Sequence, residues 1–278
     1  MSVLEANLFG LNINFLDRYN GAFIVRDNYF RMRLIFRNIK NRLKYDAPVK
    51  IYMPIKVAPN DIIYTISWNE IEDKYRTDMR TIYYKRKPEL AGTVLGGDWD
   101  LGLKKFENSV VYKSFFIHFV DGTPWNETEL YLKLIEKISA FEGQNWWDCK
   151  SEEDLIKRCE NLDILFNLIK KEGYKSQKEL SKNINYPVTF KPPRNNPINQ
   201  IIENEIAIDI GRNGQLIFVD GRNRLSIAKI LGLESIPVIV LVRHKQWQQL
   251  RDKIVRGETN PSQLLDKIRN HQDIIDLI

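Results

Sequence analysis

The stretch Phe218-Val-Asp-Gly-Arg-Asn-Arg-Leu-Ser-Ile-Ala228 says more about the fold than any other part of the sequence. Apolar residues lead into Asp220 and Gly221, and helix-forming residues follow at once, so a buried strand is expected to turn directly into a helix. Gly221 allows a tight turn and a close approach of a ligand to the backbone. The helix start presents N–H groups and a positive dipole end to an anion. The stretch therefore predicts a phosphate or other anion site.

The side chains of this turn favour the same chemistry. Arg222 and Arg224 add two cations whose forked geometry suits phosphate, and Asn223 can donate to a phosphate oxygen. Asp220 adds a carboxylate that could hold a metal ion, orient an arginine or take a proton. The structural alternative is an ion pair between Asp220 and Arg224 that stabilises the turn.

The sequence around the turn predicts an ordered series of elements. A helix is expected from the N-cap Ser151 to the C-cap Gly173, because apolar residues recur at helical spacing between them. A strand at 206–210, a turn at 211–214 and a second strand ending in the Phe218 stretch form a predicted hairpin. The apolar run at 236–242 predicts one more buried strand.

Local composition predicts further elements outside this region. Strands are expected at 49–53, 62–67 and 81–84, and loops at 92–100 and 187–197. The apolar spacing of Leu264, Leu265, Ile268 and Ile274 predicts one C-terminal helix.

Residues from this region resemble the ParB/sulfiredoxin-like superfamily. The resemblance rests on Asp220-Gly-Arg-Asn-Arg-Leu, then Leu231-Gly-Leu, then Ile236-Pro-Val, in the order and spacing of that superfamily. The helix ending at Gly173 is similar to the upstream helix of the family, after which a loop closes over bound phosphates. Here that loop is Tyr174-Lys-Ser-Gln-Lys178, and the resemblance covers about residues 151 to 245.

The resemblance implies nucleotide binding, since members bind CTP, ATP or ADP at this turn and some are small-molecule kinases. It implies magnesium and a nucleoside di- or triphosphate as cofactors. The implied phosphate-binding residues are Gly221, Arg222, Asn223 and Arg224, with Lys175, Ser176 and Gln177 from the facing loop.

Departures from the family argue against two of its functions. Sulfiredoxins have Cys where this chain has Arg222, so sulfinic-acid reductase chemistry is not expected. The residues after His244 are fewer than the DNA-reading and dimerisation units of a partition ParB contain, so a chromosome-partition function is not expected. Many members also carry His where this chain has Asn223, which favours an inactive scaffold as one alternative.

Two further acids come from the loop Gly96-Gly-Asp-Trp-Asp100. Its glycine pair allows unusual dihedrals, and Asp98 and Asp100 flank an aromatic ring that could stack on a base or sugar. We expect at least one of these carboxylates to face the cavity of Asp220 and Arg224. The alternative is a tight turn held by a buried Trp99.

Four carboxylates are therefore candidates for catalysis in a phosphotransfer or hydrolysis reaction. They are Asp220, Glu205, Asp98 and Asp100. Asp98 and Asp220 are also the candidate magnesium ligands.

The densest positive charge lies at residues 26–44, where apolar residues recur at helical spacing and predict an amphipathic basic helix. One interpretation is a helix docked on the protein with solvated charges. The other is a contact with nucleic acid or an anionic surface. That contact would use Arg31, Arg33, Arg37 and Lys40. The sequence shows no hydrophobic face of the strength seen in membrane anchors.

Composition narrows the class of protein. The chain has 278 residues, a formal net charge of +6 and 43% hydrophobic residues, which excludes disordered and collagen-like chains and favours anionic partners. Its longest apolar run, 236–242, is far below the roughly 20 residues that span a bilayer. No secretory signal is visible at the N-terminus, so a cytoplasmic location is expected.

We expect an α+β fold in three parts: an N-terminal α/β extension at 1–147, a ParB/sulfiredoxin-like domain at 148–245 and C-terminal helices at 246–278. The expected function is nucleotide binding with phosphotransfer or nucleotide hydrolysis on an unidentified acceptor. The alternatives are a nucleic-acid-binding, nuclease-like protein and an inactive scaffold of the same fold.

Overall fold

The computed structural model describes residues 7–8, 11–12, 20–51, 53–66, 87–140, 147–180 and 204–278, with side chains from residue 28 onward except 30, 87 and 88. A strand expected at 81–84 and a proline-rich loop expected at 187–197 lie outside the described residues.

The strands of the described residues fall into two sheets. They are β1 (Asn7–Leu8), β2 (Leu11–Asn12), β3 (Ile55–Val57), β4 (Tyr64–Ile66), β5 (Thr93–Leu95), β6 (Leu103–Lys105), β7 (Ile206–Ile210), β8 (Leu216–Asp220) and β9 (Ile236–His244). β1 and β2 pair with each other, and β3 to β9 form a seven-stranded sheet. Its order is β3-β9-β7-β8-β4-β6, with β5 also on β9.

The sheet is mixed, and β9 is its longest described strand. β7 runs parallel to one edge of β9. On the other edge, β3 pairs antiparallel with 236–238 and β5 pairs parallel with 242–244. β7 and β8 form the predicted antiparallel hairpin, and β4 joins it parallel to β8.

The helices are α1 (Asn20–Lys44), α2 (Lys87–Leu90), α3 (Val110–Phe119), α4 (Glu129–Ala140), α5 (Glu152–Glu172), α6 (Gln177–Leu180), α7 (Arg222–Ile230), α8 (Lys245–Val255), α9 (Asp266–Arg269) and α10 (Gln272–Ile275). None of the helices in the described ranges is long and apolar enough to cross a membrane. The predicted limits of α5 are confirmed. Ser151 Oγ accepts from Asp154 N at 3.2 Å, and Gly173 ends the helix with a φ of +75°.

Apolar side chains cover both faces of the sheet. On one face Ile208 and Phe218 pack beneath α7 and α8. On the other face Ile217 and Ile239 pack with Leu34 of α1. A third cluster joins α3, α4 and α5 to α7. The mixed sheet with its helices is consistent with the expected α+β class.

A buried ion-pair network holds the C-terminal helices against this sheet. Arg243 of β9 and Arg251 of α8 both contact Asp273, at 2.7 and 3.1 Å. Trp247 Nε1 donates to the same carboxylate at 2.9 Å. Burial alone raises the pKa of Asp273, but the two arginines hold it well below its ordinary value.

The sheet does not follow the expected division at 147/148. Strands β3, β4 and β5 come from the predicted N-terminal extension, yet each pairs with β8 or β9 of the predicted ParB/sulfiredoxin-like domain, and β6 joins the sheet through β4. Residues on both sides of that division therefore build one sheet.

Candidate functional site

The turn between β8 and α7 has the predicted geometry. β8 ends at Asp220, and Gly221 caps α7 in the left-handed region at φ +93°. A Cβ on Gly221 would lie 3.0 Å from Ile206 Cγ1 and 3.1 Å from its Cα. Backbone conformation and the close strand both require glycine here. Gly221 N donates to Asp220 Oδ1 at 2.8 Å, so the carboxylate folds back over the turn.

The N-cap residue of α7 is Gly221, which has no side chain with which to cap the helix. The first helical hydrogen bond runs from Leu225 N to Gly221 O at 3.0 Å. The N–H groups of residues 222–224 belong to the first turn, where an α-helix provides no intrahelical acceptor. The positive end of the helix dipole points the same way. The arrangement suits an anion.

Arg224 connects α7 to two other segments. Its Nη1 donates to Tyr174 Oη at 3.3 Å, and its Nη2 donates to Asn204 O. Nη1 also lies 3.9 Å from Oε2 of Glu205, whose side chain is fully buried. Arg224 therefore pairs with Glu205, and not with Asp220 as the structural alternative expected. Burial also raises the pKa of Tyr174 well above its ordinary value.

The facing segment 174–177 is joined to the same cluster. Gln177 N donates to Glu205 Oε2 at 3.1 Å, so Glu205 touches both this segment and Arg224. Ser176 forms a capping box for α6: its Oγ donates to Glu179 Oε2 at 2.6 Å, and Glu179 N donates back to Oγ at 3.3 Å. The hydroxyl of Ser176 is thus already used by α6.

Two other predicted phosphate residues differ in exposure. Arg222 is exposed, with its guanidinium carbon 5.9 Å from the centre of the Phe218 ring. Lys175 is half-buried, and its Nζ pairs with Glu172. Asn223 is half-buried in the first turn of α7.

The acids of the 96–100 loop lie elsewhere. Asp100 is fully buried and accepts from the backbone N of Arg212 at 2.7 Å and from its Nη2 at 2.7 Å. Asp98 Oδ1 accepts from the same Nη2 at 2.8 Å. Hydrogen bonds to Asp100 and then to Asp98 raise the pKa of Arg212 above its ordinary value. The loop is fastened to the turn of the β7–β8 hairpin.

The expectation that Asp98 or Asp100 faces the cavity of Asp220 is therefore wrong. Arg212 sits in the hairpin turn, whereas Asp220 ends β8 opposite Ala207 at the far end of the same hairpin. Five strand residues separate these ends by about 15 Å. Asp98 and Asp220 cannot share one magnesium ion across that distance.

Within the described ranges, no group of three or more His, Cys, Asp or Glu side chains is arranged to hold a metal ion. Magnesium is nevertheless often bound by one or two carboxylates together with substrate phosphates. Asp220 adjoins the start of α7 and fits that role with a bound nucleotide, whereas Asp98 does not.

Sequence reasoning missed Tyr174 and Asn204 as partners of Arg224. Tyr174 follows the C-cap Gly173 directly, a signal that could have placed it near the turn. A separate groove of about 360 Å³ lies between the β3–β4 connection, the hairpin turn and the C-terminal segment, and its lining includes Lys56 and Lys267. None of the predicted phosphate residues lines that groove.

The chain matches no family model, no curated protein and no solved structure.

Proposed function

We propose that this chain is a ParB/sulfiredoxin-like protein that binds a nucleoside di- or triphosphate at the start of α7. The observation that carries the proposal is the helix start at Gly221, where the cap residue has no side chain, the backbone is left-handed and an added Cβ would lie only 3.0 Å from Ile206. Phosphates bind such helix starts through backbone N–H groups and the dipole. The resemblance of the 218–236 region to nucleotide-binding members of the superfamily supports the same ligand.

The arginines have different tasks in this proposal. Arg222 is exposed and supplies charge-assisted hydrogen bonds to the phosphate. Arg224 has five N–H donors, of which its bonds to Tyr174 and Asn204 use two. Glu205 holds Arg224 in place from the buried side, so we assign it a positioning role in preference to the catalytic role expected from the sequence.

Asp220 is the carboxylate that we propose for turnover. It lies beside the first turn of α7, where it can bind the magnesium ion of a nucleotide or accept the proton of an attacking hydroxyl or water. Magnesium would neutralise developing charge on the phosphates during transfer to an acceptor or during hydrolysis.

The test is nucleotide binding by wild type and by Arg222→Ala, measured by thermal shift and by calorimetry with ATP, ADP, CTP and GTP, with and without magnesium. Arg269→Ala is the matched control, because Arg269 is a surface arginine paired only locally with Asp266. Losing hydrogen bonds to a charged ligand should weaken binding by Arg222→Ala about tenfold or more, and the control should bind normally. The proposal fails if no nucleotide raises the unfolding temperature of wild type, or if Arg222→Ala binds as tightly as wild type.

Nucleic-acid binding through the basic helix remains an alternative, but fewer of its predicted residues are available for the contact. Arg37 is half-buried, and its Nη1 donates to Ala91 O at 3.0 Å. Burial, and then the charge of Arg33, lower its pKa. Arg37 therefore fastens α1 to the protein, and only Arg31, Arg33 and Lys40 of the predicted set are exposed. Neutralising these three should lower DNA or RNA affinity and flatten its salt dependence if this alternative holds.

The inactive-scaffold alternative keeps the support of Asn223 in place of a histidine. It predicts nucleotide binding without turnover, which single-turnover assays with each nucleotide would show.

A further inference from the structure

Helix α1 carries a stripe of apolar side chains that face solvent, although the sequence predicted no hydrophobic face of the strength seen in membrane anchors. Its members are Met32, Ile35, Phe36, Ile39 and Leu43, hereafter the α1 stripe. Phe36 is 65% exposed and Leu43 is 86% exposed, and each of the others is more than two-fifths exposed. At 3.6 residues per turn the five side chains occupy an arc of about 100°. A contiguous exposed apolar surface of this kind marks an interaction site.

The stripe points away from the body of the protein. α1 docks through Leu34, Arg37 and Asn41: Leu34 is buried, Arg37 bonds Ala91 O, and Asn41 Nδ2 donates to Gly92 O at 2.8 Å. At 3.6 residues per turn, the middle of this docking side lies about 180° around the axis from the middle of the stripe. The exposed apolar face is thus free to lie flat on an extended surface.

Cations border the stripe on both sides. Helical geometry places Arg31 and Arg42 along one border and Arg33, Lys40 and Lys44 along the other. All five are exposed. Residues 28 to 44 contain no Asp or Glu, so no acid from this stretch of α1 opposes their charge.

We propose that the α1 stripe and its cationic borders bind the surface of an anionic lipid bilayer, with the helix lying in the plane of the interface. An apolar face flanked by Lys and Arg is the pattern of helices that insert partway into the headgroup region. Each cation near an anionic membrane adds attraction, and the apolar side chains leave water on insertion.

Charge complementarity favours this occupant over two others. A second copy packed stripe to stripe would bring ten cations together with no acid on either face, which opposes a dimer. A nucleic acid would pair with the cations but would leave the apolar centre against phosphates. A bilayer offers acidic headgroups for the borders and acyl chains for the centre.

The test is co-flotation of the full chain with vesicles in about 100 mM salt. One set contains phosphatidylcholine alone, and the other contains phosphatidylcholine and phosphatidylserine at 7:3. We expect the anionic vesicles to bind at least tenfold more protein. Phe36→Ser with Leu43→Ser should lower this binding tenfold or more, whereas the matched pair Leu132→Ser with Leu265→Ser, also exposed leucines, should not.

The cationic borders have their own matched pair. Lys40→Ala with Arg42→Ala removes one cation from each border and should reduce anionic binding about fivefold per cation. Lys170→Ala with Lys171→Ala removes the same charge from the exposed end of α5 and should change binding less than twofold. All the substituted side chains are exposed, and unchanged thermal unfolding confirms that the variants fold.

Three results would overturn the proposal. The first is equal binding to both kinds of vesicle or to neither. The second is an oligomer, detected by light scattering, that the Phe36→Ser and Leu43→Ser substitutions dissolve, because the occupant would then be a second copy. The third is vesicle binding that the stripe substitutions do not change but that a 20-nucleotide oligomer abolishes by competition. In that case nucleic acid would be the ligand of the helix. None of these results depends on whether nucleotides bind at α7.

Discussion

The carboxyl group of Asp209, in the middle of β7, is buried in the sheet with the side chain 1% exposed. Its Oδ1 accepts from Val242 N at 3.0 Å, and its Oδ2 is buried without a hydrogen-bond donor among the described residues. Burial raises the pKa of Asp209 to about 8 and outweighs the hydrogen bond from Val242, which lowers it. Asp209 is therefore expected to carry a proton at neutral pH. The substitution that tests this is Asp209→Asn, which keeps the shape and the acceptor but cannot ionise.

The sign and size of the effect follow from proton linkage. The folded pKa of about 8 lies above the unfolded value of about 3.9, so the folded state binds the proton more tightly. The resulting stability is complete below about pH 4 and is lost as the pH rises to about 8. Between pH 5 and pH 7, wild type should lose about 2 to 3 kcal/mol of unfolding free energy through this group.

The assay is urea unfolding of wild type and Asp209→Asn at pH 5, 6, 7 and 8. The variant should lack this slope, so the difference between the two proteins should change by about 2 to 3 kcal/mol from pH 5 to pH 7. Asp266→Asn is a control, because Asp266 is an exposed acid with a surface partner. If the curves of wild type and Asp209→Asn run parallel, Asp209 is ionised in the folded protein and the reasoning fails.

Three further predictions concern other buried groups. Arg224→Ala should lower the unfolding free energy by about 3 kcal/mol, because it removes a cation 3.9 Å from the buried Glu205, and adding Glu205→Gln should restore much of the loss. If the losses of unfolding free energy caused by the two substitutions simply add in a urea double-mutant cycle, Arg224 and Glu205 do not interact and the prediction is wrong. Asp100→Ala should destabilise the protein by about 3 kcal/mol, but Asp98→Ala by less than about 1 kcal/mol, because of these two acids Asp100 is the buried one. Thermal unfolding measures both losses, and equal losses would show that the buried Asp100–Arg212 pair does not hold the loop. Burial raises the pKa of Cys159 to about 12, so iodoacetamide at pH 8 should label it at least 100 times more slowly in folded than in urea-unfolded protein, as followed by mass spectrometry.

The parts of the fold that follow from the sequence are those with local signals. α5 carries its own cap at Ser151, its stop at Gly173 and an apolar stripe between them. The start of α7 depends on the dipeptide Asp220-Gly221, and an Asp-Gly dipeptide is typical of a tight turn. Neighbours along the chain decide these elements, so their bounds are visible without the tertiary structure.

Elements that depend on distant partners were not predictable in the same way. The loop expected at 92–100 contains β5, which is a strand because it pairs with 242–244 of β9. A strand expected at 49–53 is absent from the described residues 49–51 and 53, and the strand that does form here is Ile55–Val57, after Pro54. The single C-terminal helix expected from its apolar spacing is two short helices, α9 and α10.

The candidate site shows the same limit. The turn residues were found because local sequence determines their conformation. The partners of Arg224 were not found, because the positions of charged residues along the sequence do not show which of them meet in the folded protein. Asp98 and Asp100 were matched with the wrong arginine for that reason. α1 was expected to be amphipathic, yet it has apolar residues on two sides, and only the docking of Leu34 and Asn41 determines which side stays exposed.

The position of β9 has a consequence for how the protein is made. β3 pairs with β9 across roughly 180 residues of chain, which is about 10 to 35 seconds of translation at 5–20 residues per second. During that interval β3 and β5 have emerged without their partner, and β4 has only β6 beside it. Unpaired strand edges of this kind attract other unfolded chains. A ribosome-bound chain of this protein is therefore expected to depend on chaperones until β9 emerges and completes the sheet.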